Sequence, residues 1–447
     1  MNEAEPILNR STVERRYPPT PHGSARELIR NPLNYFLSIT REYGDIVCYR
    51  PAPDPAYLLN HPDYVRQVLI ENHRNYSKET YSILAFKKVV GDGLITAEGE
   101  AWLWQRRLMQ PAFHHTRLEK LDGLIVQATH EMLDRWEQNC QNDQTVDIAR
   151  EMAALTLSVT ARALFGVDLG ERVKDIGEIV NRAATMFEKP SSPTVQQSAL
   201  EFRAVVDDII RARRENFRDG GDLLSSLMLA RDEQNGQGMD DQQLSDQLMG
   251  LLLAGYETTA NALTWTWYLL SENPWAGKKM REEVRRALDG RAPTTADMES
   301  IPYLRQVLDE SLRLYPPAWM IGRRAIGEDL IGGYSVPPGT VIAICAYTLH
   351  RHPDYWEAPQ VFDPDRFAAE YNGKRHKFAY IPFGAGPRQC IGNTFGLLEA
   401  SLILACVAQR YELRLAQGSE VQPQALFVLR PNRDLLMKLE PVEGFPS

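Results

Sequence analysis

The stretch of sequence that decides the fold is Phe383-Gly384-Ala385-Gly386-Pro387-Arg388-Gln389-Cys390-Ile391-Gly392, which comes just before a helical pattern from Phe395 to Arg410. Glycines let a backbone turn sharply and expose its N–H groups, and a helix N-terminus carries partial positive charge. Both effects would stabilise a thiolate at Cys390, and a stabilised thiolate suits a metal ligand. The alternative interpretation is that Cys390 is a small buried hydrophobic residue.

The composition limits which classes of protein this chain can belong to. The 447 residues are 43% hydrophobic and 24% charged, enough to bury a sizeable core. A net charge of -9 argues against nucleic acid as a partner. Five widely spaced cysteines without a C-x-x-C pair indicate neither a disulfide framework nor a zinc site. We expect no membrane span and a cytoplasmic location, since no uncharged stretch approaches the roughly 20 apolar residues of a span and no secretory segment is visible.

The order of patterns along the chain predicts a mainly α fold with a small β region, in one domain over residues 1–447. Residues 1–23 form an expected extended lead-in, rich in proline from Tyr17 to Gly23, before a first helix around Ser24 to Tyr43. Helical spacing covers Leu118–Trp136, Ile148–Leu164, Ser198–Phe217 and Leu244–Leu270. Short β-type runs are Ile46–Arg50, Ala56–Asn60, Tyr334–Ile342, Tyr411–Leu415, Ala425–Leu429 and Leu435–Leu439.

The cysteine segment fits the pattern F-x-x-G-x-R-x-C-x-G at every specified position. It resembles the haem loop of the cytochrome P450 family of haem-thiolate monooxygenases. The resemblance implies haem b as cofactor, with Cys390 as the proximal iron ligand and metal-binding residue. It also implies that Phe383 packs beside the sulfur, that Gly384 binds the cofactor and that Arg388 reaches a haem propionate. In this class the thiolate pushes electron density toward the O–O bond.

Glu257 is the only carboxylate between Gln247 and Ser271, and it stands in Ala254-Gly255-Tyr256-Glu257-Thr258-Thr259. A buried carboxylate is costly unless it is paired or used. One interpretation is a satisfied structural acid beside a threonine bonded to its own helix. The segment also resembles the family's A-G-x-[D/E]-T motif. That resemblance implies that Thr258 donates a hydrogen bond on the oxygen side of the haem and Glu257 relays protons, as catalytic residues, while Ala254 and Gly255 leave room for O2 and substrate.

Glu310 and Arg313 share one helix face at i, i+3 spacing, which alone has little weight because surface pairs contribute about 0–1 kcal/mol. The later segment Pro364-Asp365-Arg366-Phe367 resembles the family's Pro-Glu-Arg-Phe, with Asp365 in place of Glu. The resemblance therefore implies a buried structural triad of Glu310, Arg313 and Arg366.

Trp102 and Arg106 lie one helical turn apart, so an indole N–H and a guanidinium can reach the same carboxylate. By resemblance they bind haem propionates, and Arg324 is the third such residue, with Arg323 as the neighbour it is most easily confused with. An amphipathic basic helix is the alternative for Trp102 and Arg106.

The resemblance covers roughly Ser24 to Leu439 and implies the family's triangular helical prism, with the haem between the long Glu257 helix and the Cys390 loop. We expect no flavin or ferredoxin domain in this chain. Electrons would then come from NAD(P)H through a separate ferredoxin or flavodoxin with its reductase. A basic docking face is predicted at Lys374–Lys377 with Arg106 and Arg107. We expect a monomer.

The predicted substrate pocket is apolar, which favours a hydrophobic small molecule that is terpene-, lipid- or polyketide-like and receives one oxygen atom from O2. Its expected lining is Ala254, Ala318, Trp319, Met320, Leu426 and Phe427. Lys78, Lys87 or Lys88 would hold a substrate carboxylate if their loop turns inward. Two other functions stay open: a haem-binding or sensing protein without turnover, and a cysteine-nucleophile acyl transferase with His376 or His350 as base.

Overall fold

The computed structural model describes residues 16–21, 25–50, 54–141, 145–166, 178–179, 192–371, 373–416 and 421–442. In the part of the chain that it describes, the α-helices are α1 Ala25–Arg30, α2 Pro32–Tyr43, α3 Pro62–Arg66, α4 Tyr81–Val90, α5 Gly99–Met109, α6 His115–Leu118, α7 Asp122–Gln141, α8 Ile148–Phe165, α9 Pro193–Glu215, α10 Leu223–Leu229, α11 Asp241–Glu272, α12 Pro274–Leu288, α13 Pro302–Leu314, α14 Ala346–Leu349 and α15 Asn393–Arg410. None of these described helices is long and apolar enough to cross a membrane.

The strands found among the described residues form four small sheets. They are β1 Ile46–Arg50, β2 Ala56–Leu59, β3 Tyr76–Ser77, β4 Val146–Asp147, β5 Met320–Ala325, β6 Asp329–Ile331, β7 Tyr334–Val336, β8 Val341–Cys345, β9 Tyr411–Leu415, β10 Pro423–Ala425, β11 Leu429–Pro431 and β12 Leu436–Pro441. The largest sheet has the order β1-β2-β8-β5-β3, in which only β2 and β8 are parallel. The others are β4-β12-β9, β10-β11 and β6-β7.

The long helix α11 runs through the core and organises the helical part. Asp240 and Gln243 form a capping box at its start, which satisfies backbone N–H groups that a helix end otherwise leaves unpaired. Its middle packs closely on α8, where the Thr156 hydroxyl donates to the Tyr256 carbonyl at 2.9 Å. A Cβ on Gly255 would lie 2.9 Å from Thr160 Cγ2. Gly255 therefore permits the contact with α8, and its expected role of leaving room for O2 is wrong.

Most predicted elements are found, and three differ. The run Tyr334–Ile342 is two strands in different sheets, β7 and the start of β8, because a Pro-Pro-Gly turn separates them. The hairpin, the four long helices and the mainly α class are confirmed. The first helix is split in two at Asn31, whose side chain caps α2. The run Ala425–Leu429 is the end of β10, a turn and the start of β11, because the two strands pair with each other as a tight hairpin. Most of the predicted lead-in over residues 1–23 lies outside the described residues.

Candidate functional site

The cysteine loop is built from positions that only glycine fills without strain. Gly384 and Gly386 have φ of 70° and 75°, in the left-handed region that other residues rarely adopt. A Cβ on Gly386 would lie 2.0 Å from the Leu69 carbonyl oxygen, so the loop could not approach that backbone with any side chain there. The Cys390 N–H donates to the Phe383 carbonyl at 3.0 Å. The backbone thus fixes Cys390 just before α15.

The Cys390 thiol is accessible and has cations nearby. Among the four cysteines whose surroundings are described, Cys390 alone has an accessible side chain. Protein atoms nevertheless surround it, and this burial raises its pKa. The Gly392 N–H, Arg106 and Lys78 act in the opposite direction and favour the thiolate. An accessible sulfur with nearby positive charge fits a metal ligand better than a packed hydrophobic residue.

The predicted side chains of α5 meet the cysteine loop. Arg106 donates to the Gln389 carbonyl at 3.1 Å, next to Cys390. The Arg388 guanidinium lies 3.9 Å from the centre of the Trp102 ring. Arg388 is also paired with Glu98 at 2.9 Å and donates to a backbone carbonyl, that of Ala97, at 2.8 Å. The structure therefore brings Trp102, Arg106, Arg388 and Cys390 together.

Arg324 does not join this group, and the prediction for it is wrong. Its guanidinium donates to the carbonyls of Glu79 and Gly339, at 3.0 and 3.1 Å. Adjacent residues of a strand point to opposite faces, and on β5 the inward residue is Arg323, which is 7% exposed. Burial and then Arg388 lower the Arg323 pKa to about 10, which places its charge beside that of Arg388. Arg323 takes the position expected of Arg324.

The middle of α11 carries an acid and a hydroxyl side by side. The Thr258 hydroxyl donates to the Ala254 carbonyl at 2.6 Å, one turn earlier in the helix. Burial raises the pKa of Glu257 to about 7, and the charge of Arg430 acts against that rise. Glu257 is thus partly protonated near neutral pH, as a group that both takes and gives protons must be.

This part of α11 lies against the helix that follows the cysteine loop. A Cβ on Gly396 of α15 would be 3.7 Å from the Thr259 hydroxyl oxygen. Glu399, one turn further along α15, is fully buried, and burial raises its pKa well above the usual range. Glu399 was not among the predicted site residues, because nothing in the sequence indicates that it faces Thr259.

Glu310, Arg313 and Arg366 form a buried cluster at the end of α13. Arg313 makes two bonds of 2.7 Å to the Glu310 carboxylate, and both side chains have 0% exposure. Arg366 donates to the same carboxylate at 3.1 Å. The departure at Asp365 leaves this cluster intact, since Asp365 pairs with Lys279 at 2.5 Å outside it.

One predicted pocket residue points elsewhere. Trp319 is 7% exposed and packs in the cluster around Phe36 of α2, where its indole N–H donates to the Leu426 carbonyl at 2.8 Å. The pocket prediction for Trp319 is wrong, because its buried indole supports the turn between β10 and β11. Met320 is half-buried against the same cluster, and its place in the pocket stays a prediction. Phe427 of that turn does face the helices and stacks on Phe86 with ring centres 5.1 Å apart.

Other apolar side chains belong to one hydrophobic cluster. Phe86 and the α11 residue Leu253 are buried members of it, and Ile95, Phe427 and Ile391, the residue after Cys390, pack against it. Ala254, Ala318 and Leu426 have accessible surface, and their place in the pocket stays a prediction.

The family model described as "Cytochrome P450" matches residues 21–439. The chain belongs to the cytochrome P450 family. The expected fold is also confirmed by the crystal structure of the cytochrome P450DA heme domain, to which this cytochrome P450 is similar with a TM-score of 0.89 and 26% identity, over 96% of this chain and 98% of that one.

Curated relatives of this cytochrome P450 include bacterial oxygenases. It is 36% identical over 427 residues to cyclooctatin synthase of Streptomyces melanosporofaciens, covering 90% of each chain. It is also 36% identical to cyclooctat-9-en-7-ol 5-monooxygenase of the same organism, over 89% of this chain and 88% of that one. It is 30% identical to pentalenene oxygenase of Streptomyces avermitilis, over 93% of this chain and 94% of that one. These findings confirm the prediction of a cytochrome P450 monooxygenase.

Proposed function

We propose that this cytochrome P450 uses haem, O2 and two externally supplied electrons to insert one oxygen atom into a hydrophobic, terpene-like small molecule. One observation carries the proposal. An accessible Cys390 lies in a glycine loop ringed by cations, and the neighbouring long helix presents Glu257 and Thr258. The printed activities of the relatives, on cyclooctat-9-en-7-ol and pentalenene, support the substrate class.

The donor set fits haem. Cys390 supplies one soft ligand, and a porphyrin brings its own nitrogen ligands. Trp102, Arg106, Arg323 and Arg388 supply an indole N–H and guanidinium groups suited to two propionates. Once bound, the haem iron supplies oxygen activation. The chain's own part is to hold Cys390 as a thiolate, which the Gly392 N–H and Arg106 favour.

Thr258 and Glu257 manage protons on the oxygen side. The Thr258 hydroxyl hydrogen is used in the bond to Ala254, so its oxygen remains an acceptor that orients a proton donor. Glu257, with its pKa raised to about 7 by burial, collects protons and passes them on. Phe86, Phe427 and Ile95 exclude water around the substrate.

Replacing Thr258 with alanine is expected to uncouple electron use from oxygenation. Without the oriented donor, reducing equivalents go to hydrogen peroxide, and product formed per NAD(P)H falls about tenfold or more. Both quantities are measured with a surrogate ferredoxin and reductase, in the presence of the terpene that gives the largest spin-state shift. Haem content and terpene affinity stay the same.

Thr264→Ala is the matched control, because Thr264 makes the same bond to the carbonyl one turn earlier, at 2.7 Å to Ala260. We expect Thr264→Ala to keep electron use coupled to oxygenation. Equal product yields per NAD(P)H in the wild type and Thr258→Ala would remove Thr258 from the oxygen side.

Glu257→Gln is expected to flatten the pH dependence of stability. The wild-type carboxyl has a pKa of about 7 when folded, against 4.5 for an ordinary glutamate, so folding takes up a proton between these values. The contribution of Glu257 to the free energy of unfolding is therefore fully present below pH 4.5. This contribution falls by about 3 kcal/mol as the pH rises through 7. Denaturant unfolding from pH 4.5 to 8 measures the difference in unfolding free energy between the variant and the wild type.

Glu272→Gln, at the exposed end of the same helix, is the control. A difference for Glu257→Gln that stays constant with pH contradicts the raised pKa.

Electrons come from NAD(P)H through a separate, acidic ferredoxin or flavodoxin. Lys374 and Lys377 are exposed and offer it positive charge, whereas Arg375 stacks on Trp356 at 3.8 Å and donates to the Arg366 carbonyl. Arg107 is paired with Asp232 at 2.9 Å. The predicted docking face is thereby reduced to the two lysines and the edge near Arg106.

The acyl-transferase alternative lacks a base. Both ring nitrogens of His350 are engaged, one with the Arg313 carbonyl at 3.3 Å and one with the Ile381 N–H at 2.9 Å. His376 accepts from the Phe378 N–H and lies 3.3 Å from Asp63. Glu257 and Thr258 argue against a haem sensor without turnover, which needs neither group.

A further inference from the structure

The turn between β10 and β11 carries Phe427 and is held by two buried tryptophans. The Trp319 indole N–H donates to the Leu426 carbonyl at 2.8 Å, and the Trp265 indole N–H donates to the Leu429 carbonyl at 3.1 Å. An indole N–H is a donor only, and it needs an acceptor when it is buried. The two bonds therefore fix the backbone on both sides of Phe427.

The β10–β11 hairpin has little of its own to keep it in place. Three residue pairs join the two strands, and neither strand pairs with a further strand among the described residues. A two-stranded hairpin is marginally stable by itself in water. Outside contacts therefore set its position, and these include the two indoles and the Leu429 N–H, which donates to the Pro317 carbonyl at 2.9 Å.

The two tryptophans are themselves packed into the core. Trp265 is 0% exposed and stacks on Tyr315 with ring centres 4.0 Å apart and an angle of 10° between the rings. Trp319 lies beside Phe36, with ring centres 6.4 Å apart. Side chains in a close-packed core have little room to move. Trp265 also lies on α11, about two turns after Thr258, so its bond ties the hairpin to the helix of the acid and the hydroxyl.

Phe427 faces a partner that is equally well packed. Phe86 of α4 is 2% exposed, and the two rings stack with centres 5.1 Å apart at an angle of 23°. Phe427 itself is half-buried and keeps part of its surface accessible. An aromatic ring offers a broad apolar surface, and such surfaces orient a hydrophobic molecule by shape.

We propose that Trp265 and Trp319 are positioning residues that select which carbon of the substrate is oxidised. By holding the carbonyls on either side of Phe427, the two indoles set where its ring contacts the substrate, and thereby which carbon lies at the reacting position. The inference rests on the proposed function, because it requires a bound hydrophobic substrate and turnover. Placement matters steeply, since a shift of about 1 Å costs on the order of a hundredfold in rate.

The test removes each indole N–H and keeps an aromatic ring. Trp319→Phe, Trp265→Phe and Phe427→Ala are compared with the wild type as haem-loaded proteins, together with the double variants that combine each tryptophan change with Phe427→Ala. Each protein receives a surrogate ferredoxin and reductase and the terpene that gives the largest spin-state shift. The ratio of minor to main oxygenated product is measured. If one tryptophan variant does not fold, the other carries the test.

Trp136→Phe is the matched control. Trp136 is 0% exposed and its indole N–H makes a bond of similar length, 2.9 Å to Glu151, but it lies on α7 rather than at the hairpin. The control therefore reports what the loss of any buried indole bond does to the product ratio.

We expect each tryptophan variant to change the product ratio by about threefold or more, because a displaced Phe427 presents a different carbon. Haem content and the thiolate spectrum should stay the same. The double variants should give the ratio of Phe427→Ala alone, since residues that act through one another are not additive. Trp136→Phe should keep the wild-type ratio.

Unchanged product ratios in both tryptophan variants would overturn the inference. Double variants that multiply the two single changes would also overturn it, because the tryptophans would then act independently of Phe427. An equal change in Trp136→Phe would do the same, since any loosening of the core would then suffice. A wild-type chain that takes up no haem, or oxidises no terpene, would overturn the proposed function and the inference with it.

Discussion

Cys390→Ser loses the oxygenase activity and the thiolate spectrum, even where the variant still takes up haem. A serine hydroxyl stays protonated at neutral pH, so the iron loses the electron-donating ligand that this class needs. Changes in residues that merely orient a ligand cost roughly 10–100-fold, and loss of the ligand itself should cost more than a hundredfold. Product formation per haem and the absorption spectrum of the purified variant measure the effect.

Cys48→Ser is the control for this substitution. Cys48 is buried in β1, and its thiol already donates to the Arg50 carbonyl at 3.5 Å, which a hydroxyl also does. The control keeps spectrum and turnover. If Cys390→Ser keeps the wild-type spectrum, the assignment of Cys390 as ligand is wrong.

Arg313→Ala is expected to destabilise the fold more than any other single change to a charged residue discussed above. Arg313 makes two bonds to Glu310 and donates to the carbonyls of His350, Pro359 and Val361. Alanine leaves these acceptors buried without their donor. Breaking one partner of such a buried pair costs about 3–5 kcal/mol of unfolding free energy. Denaturant unfolding of the haem-loaded variant measures the loss.

Arg211→Ala is the matched control, because Arg211 and Asp208 have the same i, i+3 spacing and a 2.9 Å contact, but side chains that are 65% and 68% exposed. We expect it to cost less than about 1 kcal/mol. Equal losses for the two variants would mean that burial does not set the strength of the Glu310 cluster.

The sequence predicts well those features that a single segment determines by itself. The glycines around Cys390 indicate a sharply turned loop before a helix. The structure shows why, since a Cβ on Gly386 would lie 2.0 Å from the Leu69 carbonyl oxygen. The long helix α11 follows from regular apolar spacing over more than six turns. The family motifs place Trp102, Arg106 and Arg388 at the same loop.

What the sequence misses depends on contacts between distant segments. Arg323 and Arg324 are equivalent by pattern, and the side each one faces is set by the pairing of β5 with β8, where Arg323 is opposite Ile342. From the sequence, Gly255 is expected to leave space for O2, but in the structure Thr160 packs against it. Lys78 is half-buried, with its backbone N–H donating to Glu98 and its ammonium donating to the Ile95 carbonyl. None of these partners is near in sequence.

The most direct measurement is the difference spectrum of the purified, dithionite-reduced protein with and without carbon monoxide. A thiolate opposite the bound gas shifts the main haem band strongly to the red, so the proposed role of Cys390 predicts that shifted band in the wild type and its absence in Cys390→Ser. A folded, haem-supplied protein that shows an unshifted band, or no haem band, would contradict the account.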